Sequence, residues 1–392
     1  MGFKTVCPYC FERFNRTRAP FRLTAAGCDQ APDEIVGEFL SVPAPQLGTV
    51  FGPDEPPTGM NQRICPRCHM SLPHAAAKGE LDSKIIAVIG ARNAGKSNFF
   101  GILLRTLEQR YSSKNEVDFS IMDQNSFCVN EMKPMPSWKL YDRRYRDRLF
   151  EMESRMAIEQ NQSAIHDKFL RMPLIFRLRH NAFRQPMDLV FYEAAGEDLD
   201  KQEAIEQFNP YVLNAAGIVL LVDPLELPGV WNGLSESVRD HIGKVEARAG
   251  GVLARVIGAL ENRGLSARKK IKVPIAVALS KSDLLRPMLP TSSLLRRDGR
   301  HIGGFNHEEC SRLSYEVRGW IEEWGGDQLL QQLDKNFKTS EFFALSALGA
   351  LPDESFCVPR LAPTRIADPL LWLLWKLRAI PAAPRAGHRR AS

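Results

Sequence analysis

Lys84-Ile-Ile-Ala-Val-Ile-Gly90, followed by Ala-Arg-Asn-Ala-Gly95-Lys96-Ser97, is the stretch that decides the fold of this 392-residue chain. The apolar run is typical of a buried parallel strand, and the Gly-rich turn after it leads into a helix-like segment. The turn has the form G-x-x-x-x-G-K-S, which binds phosphate when it lies between a strand and a helix. The sequence therefore predicts an α/β nucleotide-binding domain around this loop.

The residue types of the loop suit the chemistry of a nucleoside triphosphate. Glycines let the backbone approach phosphate oxygens closely, so that amide groups and the helix N-terminus face the negative charge. Lys96 is predicted to reach the β- and γ-phosphates, the Ser97 hydroxyl to bind Mg²⁺, and Arg92 to assist catalysis from within the loop. The residues predicted to contact the nucleotide here are Gly90, Asn93, Ala94, Gly95, Lys96, Ser97 and Asn98.

Five further apolar runs of strand length follow, separated by segments long enough for crossover helices. They span residues 173–179, 187–192, 216–222, 274–279 and 341–345. Strands that alternate with helices predict a mostly parallel sheet flanked by helices, so the fold class is α/β. We expect this domain to span residues 81–380, with a charged, mostly helical insertion at about 108–172.

The segment Ser280-Lys-Ser-Asp283 follows the strand at 274–279 and resembles the [NT]-K-x-D guanine-recognition box of Ras-like GTPases, with Ser280 in place of Asn or Thr. A carboxylate at Asp283 can accept hydrogen bonds from both N1–H and the exocyclic amino group of guanine, a pair of donors that adenine lacks. Lys281 would lay its alkyl stem along the plane of the base. The competing interpretation of so short a motif is a polar turn after a buried strand.

Two more segments agree with a guanine nucleotide site. Phe191-Tyr-Glu-Ala-Ala-Gly196-Glu197 resembles a D-x-x-G box with Glu193 in place of Asp, and Ser346-Ala-Leu348 resembles an S-A-[KL] box. With the phosphate loop and the Ser280 segment, which resembles an [NT]-K-x-D box, they follow the order of motifs in TRAFAC-type P-loop GTPases. The resemblance covers residues 81–380 and implies GTP or GDP and Mg²⁺ as ligands.

The same resemblance implies a role for each matching residue. Glu193 would bind Mg²⁺ through water, Gly196 would sense the γ-phosphate, and Glu197 would take part in hydrolysis. The residues implied to bind the guanine base are Ser280, Lys281, Asp283, Ser346, Ala347 and Leu348.

The sequence departs from this family at two catalytic positions. No Thr lies between Thr106 and Thr291 to serve as the first-switch ligand of Mg²⁺, and Ser163 is the best substitute. Glu197 stands where many of these GTPases use Gln to orient the attacking water. We therefore expect slow unaided hydrolysis, which a partner's arginine would accelerate. A solvated charge at a helix start is the competing reading of Glu197.

Cys7-Pro-Tyr-Cys10 and Cys65-Pro-Arg-Cys68 have the C-P-x-C form of zinc knuckles. Two knuckles predict a structural site with four thiolates in an N-terminal, zinc-ribbon-like module over residues 1–80, with a Pro- and Gly-rich insertion at residues 42–59. The long separation of the pairs leaves His69 or His74 open as a ligand. A redox role for the cysteines is the alternative.

Together with this module, the Glu-Ala-Ala-Gly-Glu box and the closing Pro369-Leu-Leu-Trp-Leu-Leu pattern resemble the double-GTPase family of bacterial conflict and defence systems. That resemblance implies a nucleotide-controlled switch that acts beside an effector or a second GTPase. We accordingly expect a protein partner that the zinc module recruits or senses.

Composition limits the other classes of partner. A net charge of +6 is only mildly basic, and the Arg-rich stretch around Tyr141 is interspersed with acids, so a nucleic-acid partner is disfavoured. No apolar run is long enough to span a bilayer, so we expect a cytoplasmic protein without a membrane partner. Trp372 and Trp375 are expected to be core contacts of a last helix, and residues 381–392 to be a basic, flexible tail.

Two other functions remain open at the level of sequence. One is an ATPase in which Asp223, after the strand at 216–222, is the metal-binding carboxylate. The other is a scaffold that binds nucleotide or partner without hydrolysis.

Overall fold

The computed structural model describes most of the N-terminal part and nearly all of the chain from residue 210 onward. The described residues are 4–23, 31–56, 58, 61–72, 82–107, 117–121, 126–128, 133–135, 137–151, 172–180, 187–193, 210–242, 248–263, 269–301, 304–354 and 357–383.

The N-terminal part contains short strands and one helix. In chain order they are β1 Lys4–Val6, β2 Arg13–Asn15, β3 Phe21–Leu23, α1 Glu34–Leu40, β4 Val50–Phe51 and β5 Asn61–Arg63. β1 and β2 form an antiparallel hairpin, and β3 lies between β4 and β5 in a small antiparallel sheet. The insertion predicted at residues 42–59 therefore contributes β4 to this sheet rather than only loop.

The remaining elements belong to the larger domain. They are β6 Asp82–Gly90, α2 Lys96–Thr106, β7 Val117–Ile121, β8 Ser126–Cys128, β9 Lys133–Met135, α3 Ser137–Tyr141, β10 Leu174–His180, β11 Met187–Glu193, α4 Pro210–Leu213, β12 Gly217–Val222, α5 Pro228–Gly233, α6 Glu236–Ile242, α7 Ala249–Asn262, β13 Ile275–Leu279, α8 His307–Glu323, α9 Asp327–Asn336, β14 Ser340–Ala344 and α10 Asp368–Lys376.

A seven-stranded sheet of order β14-β13-β12-β6-β11-β10-β7 forms the centre of this domain. The five strands from β14 to β11 are parallel, and β10 and β7 are antiparallel to their neighbours. All six strands predicted from the apolar runs are present. The predicted α/β class, with a mostly parallel sheet, flanking helices and a cysteine-containing N-terminal module, is confirmed.

The region of the predicted helical insertion contains both strands and helices. β7 pairs with β10 and extends the sheet, and β8 and β9 form a separate hairpin. α3 continues directly into a π-helical segment, Asp142–Glu151. The prediction of a mostly helical insertion missed β7, because a strand that completes a sheet edge is decided by its partner β10 more than by its own residues. Residues 152–171 lie outside the described part.

The last helix packs its apolar residues against the sheet. Trp372 is fully buried in α10, with its ring 6.0 Å from that of Phe343 in β14, and Trp375 is half-buried beside Phe305. Both tryptophans are core contacts, as expected. Within the predicted tail, Pro381 accepts the Phe305 amide and Ala383 donates its amide to the Phe305 carbonyl oxygen, and residues 384–392 lie outside the described part. Within the described residues, no helix has the length and apolar character needed to cross a membrane.

The parallel arrangement places the carboxyl ends of five strands at one edge of the sheet. At this edge lie the residues that the sequence predicts to bind nucleotide and that the structure describes: the segments that follow β6, β12, β13 and β14, and Glu193 at the end of β11. Ligands of open α/β sheets bind outside the carboxyl ends of the strands. The topology therefore brings the separate motifs of the sequence to one place.

Candidate functional site

The phosphate loop connects the end of β6 to the start of α2. Gly90 leaves no room for a side chain against β12, since a Cβ there would come within 2.7 Å of the Leu221 carbonyl oxygen. Gly95 has φ of 83° and Asn93 has φ of 62°, so the turn uses left-handed backbone at two positions. This backbone presents the first amide groups of α2 at the edge of the sheet, as an anion site requires.

Lys96 lies over this loop and is buried. Its Nζ donates hydrogen bonds to the carbonyl oxygens of Gly90, at 3.0 Å, and Ala91, at 2.7 Å. Ser97 and Asn98 are half-buried in the first turn of α2, and Arg92 is exposed at the tip of the loop. The ammonium group is thus held at the turn that the sequence assigns to phosphate.

The segment after β13 is attached to both neighbouring strands. Ser280 donates to the Val222 carbonyl oxygen through its amide, at 2.9 Å, and through Oγ, at 3.2 Å. The Ser282 amide donates to the Leu345 carbonyl oxygen at 3.0 Å. Lys281 between them has φ of 50°, in the left-handed region. These bonds fix the start of the turn that leads to Asp283.

Asp283 and Ser346, two residues predicted to read the base, are in direct contact. Ser346 is buried, and its Oγ donates to Asp283 Oδ1 at 2.5 Å while accepting the Gly349 amide at 2.8 Å. The segment that contains Thr364 holds this loop, because Ser346 and Thr364 exchange two backbone hydrogen bonds. Ala347 and Leu348 are half-buried in the same loop. The buried Ser346 hydroxyl therefore fixes the orientation of the Asp283 carboxylate.

Sequence reasoning missed an ion pair at this edge. Asp223 follows β12 directly, is completely buried, and accepts Lys281 Nζ at 2.6 Å. The only sequence signal for this ion pair was an aspartate at the end of an apolar strand. The ATPase alternative interpreted that aspartate as a metal ligand. The partner could not be found from the sequence, because the two residues are 58 positions apart.

Glu193, the remaining predicted nucleotide residue that the structure describes, lies at the end of β11. Glu193 is the last residue of this strand and pairs in register with Val88 of β6, next to the phosphate loop. Gly196, Glu197 and Ser163 lie outside the described residues. Their roles stay predictions.

The four cysteines of the two knuckles come together as predicted. Their Sγ atoms all lie within 4.8 Å of one another, with 3.7 Å between Cys7 and Cys68 and 3.6 Å between Cys10 and Cys65. A tetrahedral zinc site with Zn–S bonds of about 2.3 Å has sulfur–sulfur distances of about 3.8 Å. A disulfide has a sulfur–sulfur distance of about 2.05 Å. The cluster therefore fits a zinc ion and contains no disulfide.

The two knuckles have the same local hydrogen bonds. The Tyr9 amide donates to Cys7 Sγ and the Arg67 amide to Cys65 Sγ, each at 3.4 Å. Each turn ends on a residue with left-handed backbone, Phe11 or His69. Burial raises the pKa of the Cys7 thiol, so a thiolate there needs a cation beside it. These features are compatible with a pair of metal-binding turns.

His69, an alternative zinc ligand from the sequence, lies outside the sulfur cluster. Its Nδ1 is 3.0 Å from Oδ2 of Asp33, which also accepts Arg22 Nη2 at 2.6 Å. Arg22 donates in addition to the His69 carbonyl oxygen at 2.9 Å. This network holds His69, the residue that follows the second knuckle. Asp33 also caps α1 by accepting the Val36 amide. His74 lies outside the described residues.

The first knuckle touches the nucleotide domain at the end of β11. Tyr192 donates its hydroxyl hydrogen to the Pro8 carbonyl oxygen, and the Phe11 ring lies 5.6 Å from the Tyr192 ring. On its other side Tyr192 stacks on Tyr211, with ring centroids 4.6 Å apart. Tyr192 precedes Glu193, so the cysteine module packs beside the strand end that the sequence assigns to Mg²⁺.

Comparisons with known proteins place the chain only broadly. No protein-family model matches it. It is 24% identical over 412 residues to SaeC of Mycolicibacterium smegmatis (strain ATCC 700084 / mc(2)155), with 94% of this chain and 97% of that protein covered. The name of that protein marks it as a candidate ESX-1 scaffolding and assembly protein.

Solved structures give a weak likeness to GTP-binding proteins. The Trypanosoma brucei Arl6 (BBS3) small GTPase with bound GppNp is 10% identical, with a TM-score of 0.30, and covers 76% of this chain and 100% of that chain. The S. cerevisiae Ski7 GTPase-like domain, bound to GDP and inorganic phosphate, is 14% identical, with a TM-score of 0.33. That alignment covers 77% of this chain and about half, 51%, of the Ski7 chain. At these scores the likeness assigns no function.

Asp33→Asn is predicted to destabilise the cysteine module by about 3 kcal/mol, because it leaves Arg22 buried without a counter-charge. Burial raises the pKa of Asp33, but hydrogen bonds from His69, the Val36 amide and Arg22 outweigh it and lower the pKa to about 2. The stabilisation is therefore present above the ordinary carboxyl pKa of about 4 and is lost as the pH falls towards 2.

Hydrogen exchange of the knuckle amides at neutral pH measures this effect. The matched control is Glu12→Gln, which removes an exposed pair with Arg67 and is expected to cost less than about 1 kcal/mol. Equal protection of the knuckle amides in wild type and Asp33→Asn would contradict the supporting role of the network.

Proposed function

We propose that this chain binds a guanine nucleotide with Mg²⁺ at the carboxyl edge of its sheet and acts as a nucleotide-controlled switch. The contact between Asp283 and Ser346 supports the proposal most directly. It joins two motifs that are 63 residues apart in the chain, at the edge where Lys96 lies over the phosphate loop. A polar turn without a ligand would not need its carboxylate oriented by a buried hydroxyl.

The base would be read by Asp283. Its carboxylate accepts N1–H and the exocyclic amino group of guanine, while the buried Ser346 hydroxyl fixes the direction of the carboxylate. The stem of Lys281 would cover one face of the base. Backbone groups of Ala347 and Leu348 lie in the same loop and would complete the base site.

The phosphates and the metal would be bound between β6 and β11. Lys96 and the amides from Asn93 to Asn98 would bind the phosphate oxygens, and Ser97 would bind Mg²⁺ directly. Glu193 would hold Mg²⁺ through water, and Gly196 would contact the γ-phosphate. The ion neutralises charge on the phosphates during hydrolysis.

Hydrolysis is proposed to be slow without a partner. Glu197 would orient the attacking water, and Arg92, exposed at the loop tip, or an arginine from a protein partner would stabilise the transition state. Partner arginines accelerate such GTPases by about 10³- to 10⁵-fold. The likeness in sequence to SaeC, a candidate assembly protein, is consistent with a function that depends on protein partners.

The cysteine cluster is proposed to bind one structural zinc ion. Cys7, Cys10, Cys65 and Cys68 would supply all four ligands of a tetrahedral site, so the ion would have no open position for catalysis. Its role would be to hold the N-terminal module together beside β11, where a partner could influence the switch. A defence-system role and a cytoplasmic location remain predictions of the sequence.

The two alternative functions differ in their support. The ATPase alternative needs Asp223 as a metal carboxylate, but both oxygens of Asp223 are engaged, one by the Leu225 amide and one by Lys281. The scaffold alternative is favoured by the likeness to SaeC, whose name marks it as a candidate scaffolding protein. The alignment with SaeC covers 94% of this chain. Nucleotide that stays intact for hours with Mg²⁺ present would support the scaffold.

Asp283→Ala is predicted to abolish a preference for guanine. Wild-type protein should bind a fluorescent GTP analogue much more tightly than an ATP analogue with Mg²⁺ present. The variant should lose about 10- to 100-fold in affinity for the GTP analogue, since hydrogen bonds to a charged group contribute about 1.5–3 kcal/mol. Asp334→Ala, which removes an exposed aspartate on α9, is the matched control. Equal or tighter binding of ATP in the wild type would refute the guanine site.

Protein purified without chelator is predicted to contain one zinc ion per chain, which elemental analysis measures. Cys65→Ser should lower the zinc content to well below one, because a site with three thiolates binds the ion more weakly. Cys357→Ser lies outside the cluster and should leave the content unchanged. Zinc that is absent from the wild type, or retained in full by Cys65→Ser, would argue against the cluster as the zinc site.

A further inference from the structure

We propose that Asp223 is a positioning residue of the nucleotide site, which holds Lys281 with its methylene stem extended where the base binds. This inference rests on the guanine nucleotide site proposed above and adds to it a residue that none of the base-reading motifs contains. It also replaces the metal-binding role that the ATPase alternative gives to Asp223.

The carboxylate of Asp223 is itself fixed. It is completely buried in the first position after β12, and its Oδ1 accepts the Leu225 amide at 3.0 Å. This bond leaves Oδ2 directed at Lys281 Nζ, at a distance of 2.6 Å. Because the backbone amide fixes the orientation of this buried carboxylate, the carboxylate fixes the position of the Lys281 ammonium group.

Lys281 is fixed at its other end by the backbone. The residues before and after it are hydrogen-bonded to Val222 and Leu345, at the ends of β12 and β14. Its own left-handed backbone conformation, with φ of 50°, is one that a non-glycine residue adopts only when its surroundings require it. The four methylene groups are therefore held at both ends.

The stem of Lys281 remains accessible. The side chain of Lys281 is 30% exposed, whereas that of Asp223 is not exposed at all. Lys281 lies two residues before Asp283 in the same short turn. An apolar stem that is held in place beside the base-reading carboxylate presents a flat surface to a purine ring, and little side-chain freedom is lost when the ring binds.

The same pairing disfavours a metal at Asp223. The ammonium group of Lys281 occupies the oxygen that a cation would use, and the Leu225 amide occupies the other. A divalent ion at Asp223 would have to displace a bonded cation from a buried anion. Ser97, in the first turn of α2, and Glu193, at the end of β11, remain the proposed Mg²⁺ residues.

A double-mutant cycle on binding of the fluorescent GTP analogue tests the proposal. Asp223→Asn keeps an oxygen for the Leu225 amide but removes the charge that holds Lys281, and Lys281→Met keeps an apolar stem but removes the ammonium group. Each is expected to weaken binding about tenfold, and the double variant no more than either single one, because both break one contact. Losses that multiply to about a hundredfold would overturn the proposal.

Two further measurements separate positioning from other roles. The Mg²⁺ concentration for half-maximal binding should be unchanged in Asp223→Asn, and a marked increase would assign Asp223 to the metal. Lys281→Arg keeps a cation for Asp223 and should lose less than threefold, so a loss as large as in Lys281→Met would overturn the proposal even if Asp223→Asn folds poorly. Asp240→Asn, an exposed aspartate on α6, is the matched control.

The outcome for the guanine site is read separately. If Asp283→Ala leaves the preference for guanine intact, the proposed function itself fails. If Asp283→Ala abolishes the preference while Asp223→Asn binds the GTP analogue like the wild type, only the positioning role fails.

Discussion

Parallel pairing of β6 with β12 on one side and β11 on the other is the constraint on which the rest of the site depends. It requires a glycine at position 90, where the two backbones leave no room for a Cβ. It also places the phosphate loop between two other strand ends, one followed by Asp223 and the other ending in Glu193. Each polar residue of the candidate site that the structure describes lies at the end of a strand of the sheet or shortly after it.

The turn after β13 shows how the sheet supports a binding residue. Its side chains are held from three directions: by the end of β12 through Ser280, by the buried Asp223 through Lys281, and by the loop after β14 through Ser346. None of these supports comes from the turn itself. A site assembled in this way is rigid before a ligand binds, so little conformational entropy is lost on binding.

The cysteine module contacts this sheet next to Glu193, the residue proposed to hold Mg²⁺ through water. Its first knuckle accepts a hydrogen bond from Tyr192, the residue before Glu193, and its second knuckle is held by the buried Arg22–Asp33–His69 network. A structural metal that orders both knuckles would thereby also restrain the end of β11. The physical connection runs through packed aromatic rings, from Phe11 to Tyr192 to Tyr211.

The sequence by itself determined the six predicted strands, the Gly-rich loop after β6 and the two Cys-Pro-x-Cys turns, because each is a local pattern: a run of apolar residues, a spacing of glycines, or two cysteines three positions apart. Three features were decided by tertiary structure alone: the edge strand β7, the pairing of Asp223 with Lys281, and the contact of His69 with Asp33 instead of the cysteine cluster. Lys281 and Asp223 are 58 residues apart, and His69 and Asp33 are 36 apart. Such contacts depend on which strands are neighbours and how the loops between them pack, and neither property leaves a periodic signal in the chain.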